Sequence, residues 1–160
     1  MATLEMPGPM KADKGLERRV LVAAPTGRDA EILCRLVEEA GVECSVAVQP
    51  EDVCRETANG AAAVILTQET LTHDMCECLA EMLDHEPEWS DIPLVVLAAP
   101  HGIKAGHEKW LNLLKSSAHV VVLERPVRKV TLISTVQAAM QSRARQYQVR
   151  DELDERRRTE

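Results

Sequence analysis

Aromatic residues are scarce in this sequence, at 2% of its 160 residues, and Phe is absent. The aromatic side chains are those of Trp89, Trp110 and Tyr147. A chain of this length buries a sizeable core when it folds. We therefore expect a core built almost entirely from Val, Leu, Ile and Ala.

The sequence also lacks long apolar runs. None approaches the ~20 residues of a membrane span, and the N-terminal residues contain no apolar signal-peptide segment. The net charge of -7 disfavours binding to nucleic acid or to an anionic membrane. Hydrophobic residues make up 45% and charged residues 28%, as is typical of a soluble globular protein. We expect one cytoplasmic domain with neither nucleic acid nor membrane as a partner.

The five cysteines are an odd number without framework spacing. Reduced cytoplasmic thiols are the simplest interpretation. We expect Cys34, Cys44 and Cys54 to behave as small hydrophobic residues.

A zinc site is suggested by His73, Cys76, Cys78 and His85. On a helix, residues 73 and 76 share one face, but residues 76 and 78 lie about 200° apart. A tetrahedral set of four ligands cannot converge from that pattern. We predict no metal site, with Cys78 in the core and Cys76 as an ordinary thiol.

Five short apolar runs alternate with five helical patterns. The predicted strands are 20–24, 42–48, 61–67, 94–98 and 120–123, and the predicted helices are 29–40, 50–58, 70–85, 107–116 and one from about 128 onwards. The run 61–67 does not alternate, which is typical of a parallel strand covered on both faces. Alternating strands and helices indicate right-handed crossovers. The order predicts a flavodoxin-like (βα)5 α/β fold, a doubly wound parallel sheet in the order 2-1-3-4-5, with an extended C-terminal helix.

Pro and Gly residues interrupt residues 1–17, which we interpret as a flexible arm. Residues 18–140 form the predicted domain, and 141–160 a helical linker. Asp29 is expected to cap the first helix. Because the sequence stops within a helical pattern, we expect it to belong to a longer protein.

Arg125-Pro126 after the fifth strand, together with residues 87–97 before and within the fourth, resembles the receiver domain of two-component response regulators. The resemblance covers roughly 18–140. The run 143–151 is similar to linkers in bacterial hybrid sensor histidine kinases that carry a receiver-like domain ahead of the kinase core. The resemblance implies a histidine kinase core in the same chain and a cis Arg125-Pro126 peptide.

A working receiver places acids after strand one for Mg²⁺, an Asp at the end of strand three for the phosphoryl group, a hydroxyl after strand four and a Lys after strand five. These positions fall on Ala24 and Pro25, Thr67, Ala98, and Arg125 followed by Pro126. Ala and Pro side chains cannot ligate Mg²⁺, and a Thr cannot form an acyl phosphate. We therefore expect a degenerate, non-phosphorylated regulatory domain that is not an enzyme and has no catalytic residue or cofactor. Arg125 should pair with Glu69 or Asp29, or point to solvent.

Two alternatives remain open. The first is a small flavodoxin-like ligand-binding or catalytic domain whose anion site lies at Thr26-Gly27, where a helix begins. The second is a true receiver with a displaced acidic site, for which Asp29 and Glu69 are the nearest acids.

The C-terminal helix has few apolar residues after Met140. Their near-coiled-coil spacing predicts a homodimer through this helix. The expected interface comprises Val136, Met140, Ala144, Tyr147 and Leu153. We expect Tyr147 to be the largest exposed apolar group, and a solvated charged helix is the alternative.

Overall fold

The computed structural model describes residues 15–159 and contains one five-stranded parallel sheet in the order β2-β1-β3-β4-β5. The strands are β1 Val20–Ala23, β2 Cys44–Ala47, β3 Ala63–Thr67, β4 Pro93–Ala98 and β5 His119–Glu124. The helices are α1 Gly27–Glu39, α2 Pro50–Asn59, α3 His73–Asp84, α4 Ala105–Ser117 and α5 Lys129–Thr159. The predicted fold class and strand order are confirmed.

Helices cover both faces of the sheet. Every residue of β1, β3 and β4 is buried, whereas the edge strand β5 is partly exposed. One face packs against α2, α3 and α4, and the other against α1 and α5. Both cores are aliphatic apart from cysteine and methionine, with Trp110 at the margin of one. This arrangement explains why the central strands are apolar at every position.

Two helix starts differ from the predictions. Thr26, not Asp29, caps α1, because the Thr26 hydroxyl accepts a hydrogen bond from the Asp29 amide over 3.2 Å. The third helix begins at His73, capped by the Thr72 hydroxyl. In both cases a threonine takes the position from which a side-chain oxygen reaches a free backbone N–H. Residues 68–70 form a separate 3₁₀ turn that positions the end of β3.

The expectation of five reduced thiols is wrong for two cysteines. Cys34 of α1 and Cys44 of β2 form a disulfide with 5.5 Å between their Cα atoms. The pair closes because α1 packs directly beside the edge strand β2.

The prediction for Cys76 is also wrong, whereas Cys78 packs against the margin of the core. Cys76 is fully buried, whereas Cys78 is only partly buried. Cys76 shares a helix face with Leu79 and Leu83, three and seven residues further on, and this face packs against the sheet. Burial raises the pKa of the Cys76 thiol to about 12.

Part of the predicted arm is folded. Leu16–Arg18 forms a 3₁₀ turn, and Glu17 is buried. The turn lies against Gly60, where an added Cβ would approach the Glu17 Cγ to 3.3 Å. Residues 1–14 lie outside the described part of the chain. Between residues 15 and 159, no helix has the length and apolarity needed to cross a bilayer.

Candidate functional site

The predicted site positions meet at the carboxyl edge of the sheet. Thr67 is the last residue of β3 and pairs in register with Leu97, while Ala98 ends β4 and pairs with Glu124. Ala24 follows β1, which lies on the other side of β3. This is the edge at which open parallel sheets bind ligands.

The residues after β1 do not fit a Mg²⁺ ion. Ala24 is fully buried and Pro25 is exposed, and neither side chain carries an oxygen atom. Ala98, also fully buried, supplies no hydroxyl. Mg²⁺ requires oxygen ligands in near-octahedral geometry. Throughout residues 15–159, no group of three or more His, Cys, Asp or Glu side chains is placed to hold a metal ion.

Thr67 ends β3, the position at which the resemblance places the phosphoacceptor of a receiver. It is 5% exposed. Its Oγ1 is buried and has no hydrogen-bond partner among the residues that the structure describes. Its carbonyl oxygen accepts a hydrogen bond from the Thr70 hydroxyl over 2.7 Å. The backbone is therefore fixed, while the side-chain hydroxyl remains unused.

Gln68 is a site residue that the sequence analysis missed. It is 1% exposed, and its Oε1 accepts a hydrogen bond from the Ala99 amide over 2.9 Å. This bond joins the chain segments that follow β3 and β4. One signal in the sequence could have identified it. Gln68 is an uncharged amide directly after the apolar strand β3, and the backbone groups of a buried neighbouring loop need hydrogen-bond partners.

The side chain of Arg125 is held by two contacts. Its Nε donates to the Ala98 carbonyl over 2.9 Å, and its Nη2 pairs with the Glu69 carboxylate over 2.5 Å. The expectation that Arg125 pairs with Glu69 is confirmed, as is the cis Arg125-Pro126 peptide. Arg125 is thus occupied by an acid of the same chain.

The pKa of Glu69 reflects this contact. Burial disfavours the carboxylate, but the hydrogen bonds from Arg125 and from the backbone outweigh burial and lower the pKa of Glu69 below 4.5. The Thr67 hydroxyl adds least to this lowering and does not reach hydrogen-bond geometry. Glu69 is consequently an anion at neutral pH.

An open cleft of about 360 Å³ lies over these residues. Its lining consists of Pro25, Asp29, Ile32, Leu33, Thr67, Glu69, Leu97 and Arg125. The alternative anion site at Thr26-Gly27 lies beside it, with the Thr26 hydroxyl engaged as the cap of α1. We name the open cleft over Thr67, Glu69 and Arg125 the β3 cleft.

Helix α5 contacts the domain well beyond Met140, contrary to our expectation. Val136 is fully buried and therefore unavailable to a second copy, and Met140 is partly buried against the core. Of the predicted interface residues, Ala144 and Leu153 are exposed. The expectation that Tyr147 is an exposed apolar group is wrong, because its hydroxyl donates to the Ala61 carbonyl over 3.0 Å.

Tyr147 belongs to a cluster at the opposite edge of the sheet, which we name the base cluster. Its members are Glu17, Trp89, Arg143, Tyr147 and Arg150. The Trp89 and Tyr147 rings lie 5.9 Å apart, and the Arg143 and Arg150 guanidinium carbons lie 4.4 and 4.8 Å from the Tyr147 ring centre. Arg150 pairs with the buried Glu17 carboxylate.

Further hydrogen bonds attach α5 to the loop before β4. The Arg143 Nη1 donates to the Ser90 hydroxyl over 2.8 Å. The Gln146 amide exchanges two hydrogen bonds with the backbone of Asp91, each 2.8 Å long. Helix α5 is therefore fixed beyond Met140 at the same edge of the sheet as the base cluster, although its sequence there is mostly charged.

The sequence matches no protein-family model and no curated protein. Solved structures resemble its fold. NtrX from Brucella abortus in complex with ADP has a TM-score of 0.62 and 18% identity, covering 83% of this chain, which spans only 28% of NtrX. The signal receiver domain of a signal transduction histidine kinase from Syntrophus aciditrophicus has a TM-score of 0.59 and 19% identity, over 77% of this chain and 89% of that one.

A CheY-like response regulator receiver domain from Methylobacillus flagellatus has a TM-score of 0.57 and 15% identity, over 76% of this chain and 98% of that domain. Together with the strand order, these similarities define the architecture. The chain therefore has the fold of the receiver domain of two-component signalling proteins.

Proposed function

We propose that this chain is a receiver-like regulatory domain of a two-component signalling protein that does not accept a phosphoryl group and acts through contacts with proteins. The observation that carries the proposal is the chemistry at the carboxyl edge of the sheet. Thr67 replaces the phosphoacceptor, and Ala24 and Pro25 replace the metal ligands. Arg125 is paired with Glu69 instead of being available to a phosphoryl group.

A phosphodonor experiment tests this proposal. The chain is incubated with acetyl phosphate and Mg²⁺ and its intact mass is measured, with a receiver domain that has a complete acidic site as the positive control. We expect no adduct of about 80 Da, because no acid stands where an acyl phosphate could form beside a metal.

A hydroxylamine-sensitive adduct on this chain would contradict the proposal. The variants Asp29→Asn and Glu69→Gln then identify the acceptor. Loss of the adduct in one of them would establish a receiver with a displaced acid.

We also propose that α5 mediates weak association between two copies. The surface that supports this is smaller than expected from the sequence, because Val136, Met140 and Tyr147 are used within the protomer. Ala144, Val149 and Leu153 remain exposed, and the last two lie four residues apart on one face. Parallel pairing of two helices would bury them and align flanking charges.

Sedimentation equilibrium tests the association with Leu153→Glu, which should shift any dimer towards monomer. The matched control is Val130→Glu, since Val130 is also in α5 but lies at its other end and is 77% exposed. If the two variants have equal dimer fractions, the interface lies elsewhere.

The setting that we propose is the cytoplasmic part of a histidine kinase whose core lies in the same chain. Support comes from the receiver fold and from α5, whose described length reaches beyond the sheet. Two of the similar solved structures are called a signal transduction histidine kinase and, at 20% identity, a sensor protein from Polaromonas. An antibody against this domain should capture a native protein with tryptic peptides from a kinase core. Capture of a protein without such peptides would refute this setting.

A further inference from the structure

The β3 cleft contains a buried polar atom that the fold does not use. The Thr67 Oγ1 has less than 1 Å² of exposed surface and no hydrogen-bond partner within residues 15–159. A buried hydroxyl without a partner destabilises the fold, so such groups are rare in folded domains. Thr67 also lines the cleft. A rotation of the Thr67 side chain would bring this hydroxyl to the cleft, where a bound molecule would supply the hydrogen bond that it lacks.

The walls of the cleft are apolar. Ile32 and Leu33 of α1 form one side, Leu97 lies next to Thr67 in the sheet, and Pro25 completes the lining. Ile32 is 51% exposed, which is unusual for an isoleucine on a helix that packs against the sheet. A ligand with a short aliphatic portion would cover this surface and remove it from water, which favours binding.

The charged groups of the cleft favour a cation. Glu69 and Asp29 bring two carboxylates, and Arg125 brings one guanidinium that is already paired with Glu69. Asp29 forms no ion pair in the described part of the chain. The local excess is one negative charge, and the net charge of the whole chain, -7, has the same sign.

We infer that the β3 cleft binds a small organic ammonium compound, with its cationic group between Asp29 and Glu69, its aliphatic portion against Ile32 and Leu33, and a hydroxyl or carbonyl group hydrogen-bonded to Thr67. This inference goes beyond the proposed function, since it gives the domain a small-molecule signal in place of a phosphoryl group. It depends neither on the proposed association through α5 nor on the proposed kinase core in the same chain.

Three probes of similar size separate the contributions. Aminobutanol carries an ammonium and a hydroxyl at opposite ends, pentylamine lacks the hydroxyl, and hydroxybutanoate replaces the ammonium with a carboxylate. Each is titrated into the ¹⁵N-labelled chain while amide chemical shifts are recorded. We expect aminobutanol to shift amides around Thr67 and α1 with a Kd on the order of 1 mM, since a ligand with so few atoms binds weakly. Pentylamine should bind about three- to tenfold more weakly.

Two variants and their matched controls test the residues. Thr67→Val removes the hydroxyl but keeps the side-chain shape, and it should abolish the preference for aminobutanol over pentylamine. Its control is Thr57→Val, because Thr57 is equally buried, at 5%, but lies in α2 on the other face of the sheet. Asp29→Asn should weaken both amines, whereas Asp52→Asn, at a first-turn acid of α2, should not.

Several results would overturn the inference. Binding of hydroxybutanoate as tight as that of aminobutanol would contradict the charge argument. Unchanged selectivity in Thr67→Val would remove the role of the hydroxyl, and shifts spread over the whole acidic surface would indicate non-specific attraction. Absence of shifts with all three probes would refute the site. None of these outcomes affects the phosphodonor experiment, so the two proposals can fail separately.

Discussion

Arg150 in α5 forms an ion pair with Glu17, which precedes β1 and lies 133 residues earlier in the sequence. The Glu17 side chain is 6% exposed and that of Arg150 is 18% exposed. A second hydrogen bond, from the Arg150 Nη2 to the Glu17 Oε1, is 3.1 Å long. This contact connects the two ends of the described chain across the base of the sheet.

The first prediction concerns this pair. Glu17→Gln should lower the free energy of unfolding by about 1–3 kcal/mol, because the buried guanidinium loses its charged acceptor but keeps a neutral one. Urea denaturation followed by circular dichroism measures the change.

Asp151→Asn is the matched control. Asp151 also contacts Arg150, but its side chain is 55% exposed, so its loss should change stability by less than about 0.5 kcal/mol. Equal effects of the two substitutions would show that burial of the pair contributes nothing.

The second prediction concerns the length of α5. A chain that ends at residue 140 loses Arg143, Gln146, Tyr147 and Arg150, and with them every contact of the base cluster made by α5. We expect its free energy of unfolding to fall by at least about 3 kcal/mol, comparable to removing a packed aromatic side chain. Ending the chain at residue 152 keeps these contacts and should change stability by less than about 1 kcal/mol. Equally stable truncated chains would contradict the role of the base cluster.

The third prediction is a pH dependence. The pKa of Glu69 in the folded chain is lower than its ordinary value of 4.5, so the carboxylate stabilises the fold. Its contribution is fully present above pH 4.5 and is lost as the pH falls through the lower, folded-state pKa. Wild type should be more stable than Glu69→Gln at pH 7, and the difference should vanish in acid.

The size of this difference is small. The Glu69 side chain is 46% exposed, so solvent screening limits it to less than about 1 kcal/mol. Glu31→Gln, on the exposed side of α1, is the control and should show no comparable dependence. A difference between wild type and Glu69→Gln that persists in acid would exclude the ionisation of Glu69 as its cause.

The fourth prediction concerns the Cys34–Cys44 disulfide. The disulfide closes a loop between two cysteines that are 10 residues apart in the sequence. Its reduction should lower the free energy of unfolding by about 2–3 kcal/mol, because the unfolded chain gains entropy. Denaturation with and without a reductant measures the loss. The Cys34→Ser/Cys44→Ser variant should not respond to the reductant, and a similar response would place the effect at another cysteine.

The sequence was sufficient to predict the sheet, because its central strands are apolar at every position and are separated by helical patterns. The site positions followed from the same reasoning, since Thr67 and Ala98 end strands that are neighbours in the sheet. The cap of α1 was misplaced by three residues because Thr26 and Asp29 are both favourable capping residues. Only the geometry shows which side-chain oxygen reaches a free amide.

The base cluster was missed because its buried positions are occupied by charged residues. The buried face of α5 passes through Val136 and Met140 and continues through Arg143, Tyr147 and Arg150 at helical spacing. Arginine is rarely buried unless it is paired. A buried face predicted from apolar residues alone therefore ends at Met140, before the true buried face of α5 does. The partners, Glu17 and Trp89, are distant in sequence and give no local signal. The disulfide was missed for the same reason, because pairing depends on how α1 lies beside β2.

The base cluster also determines the rotational phase of the helix that leaves it. Helix α5 comprises 31 residues and is about 46 Å long. Since Arg150 is fixed, every residue after it has a defined direction around the helix axis. One alanine inserted between Asp151 and Glu152 would turn Leu153 by about 100° and advance it by about 1.5 Å, without changing a contact of the base cluster. For a partner that binds the end of this helix, the direction of the contacting residues is therefore set by a tyrosine and two arginines at the far edge of the sheet.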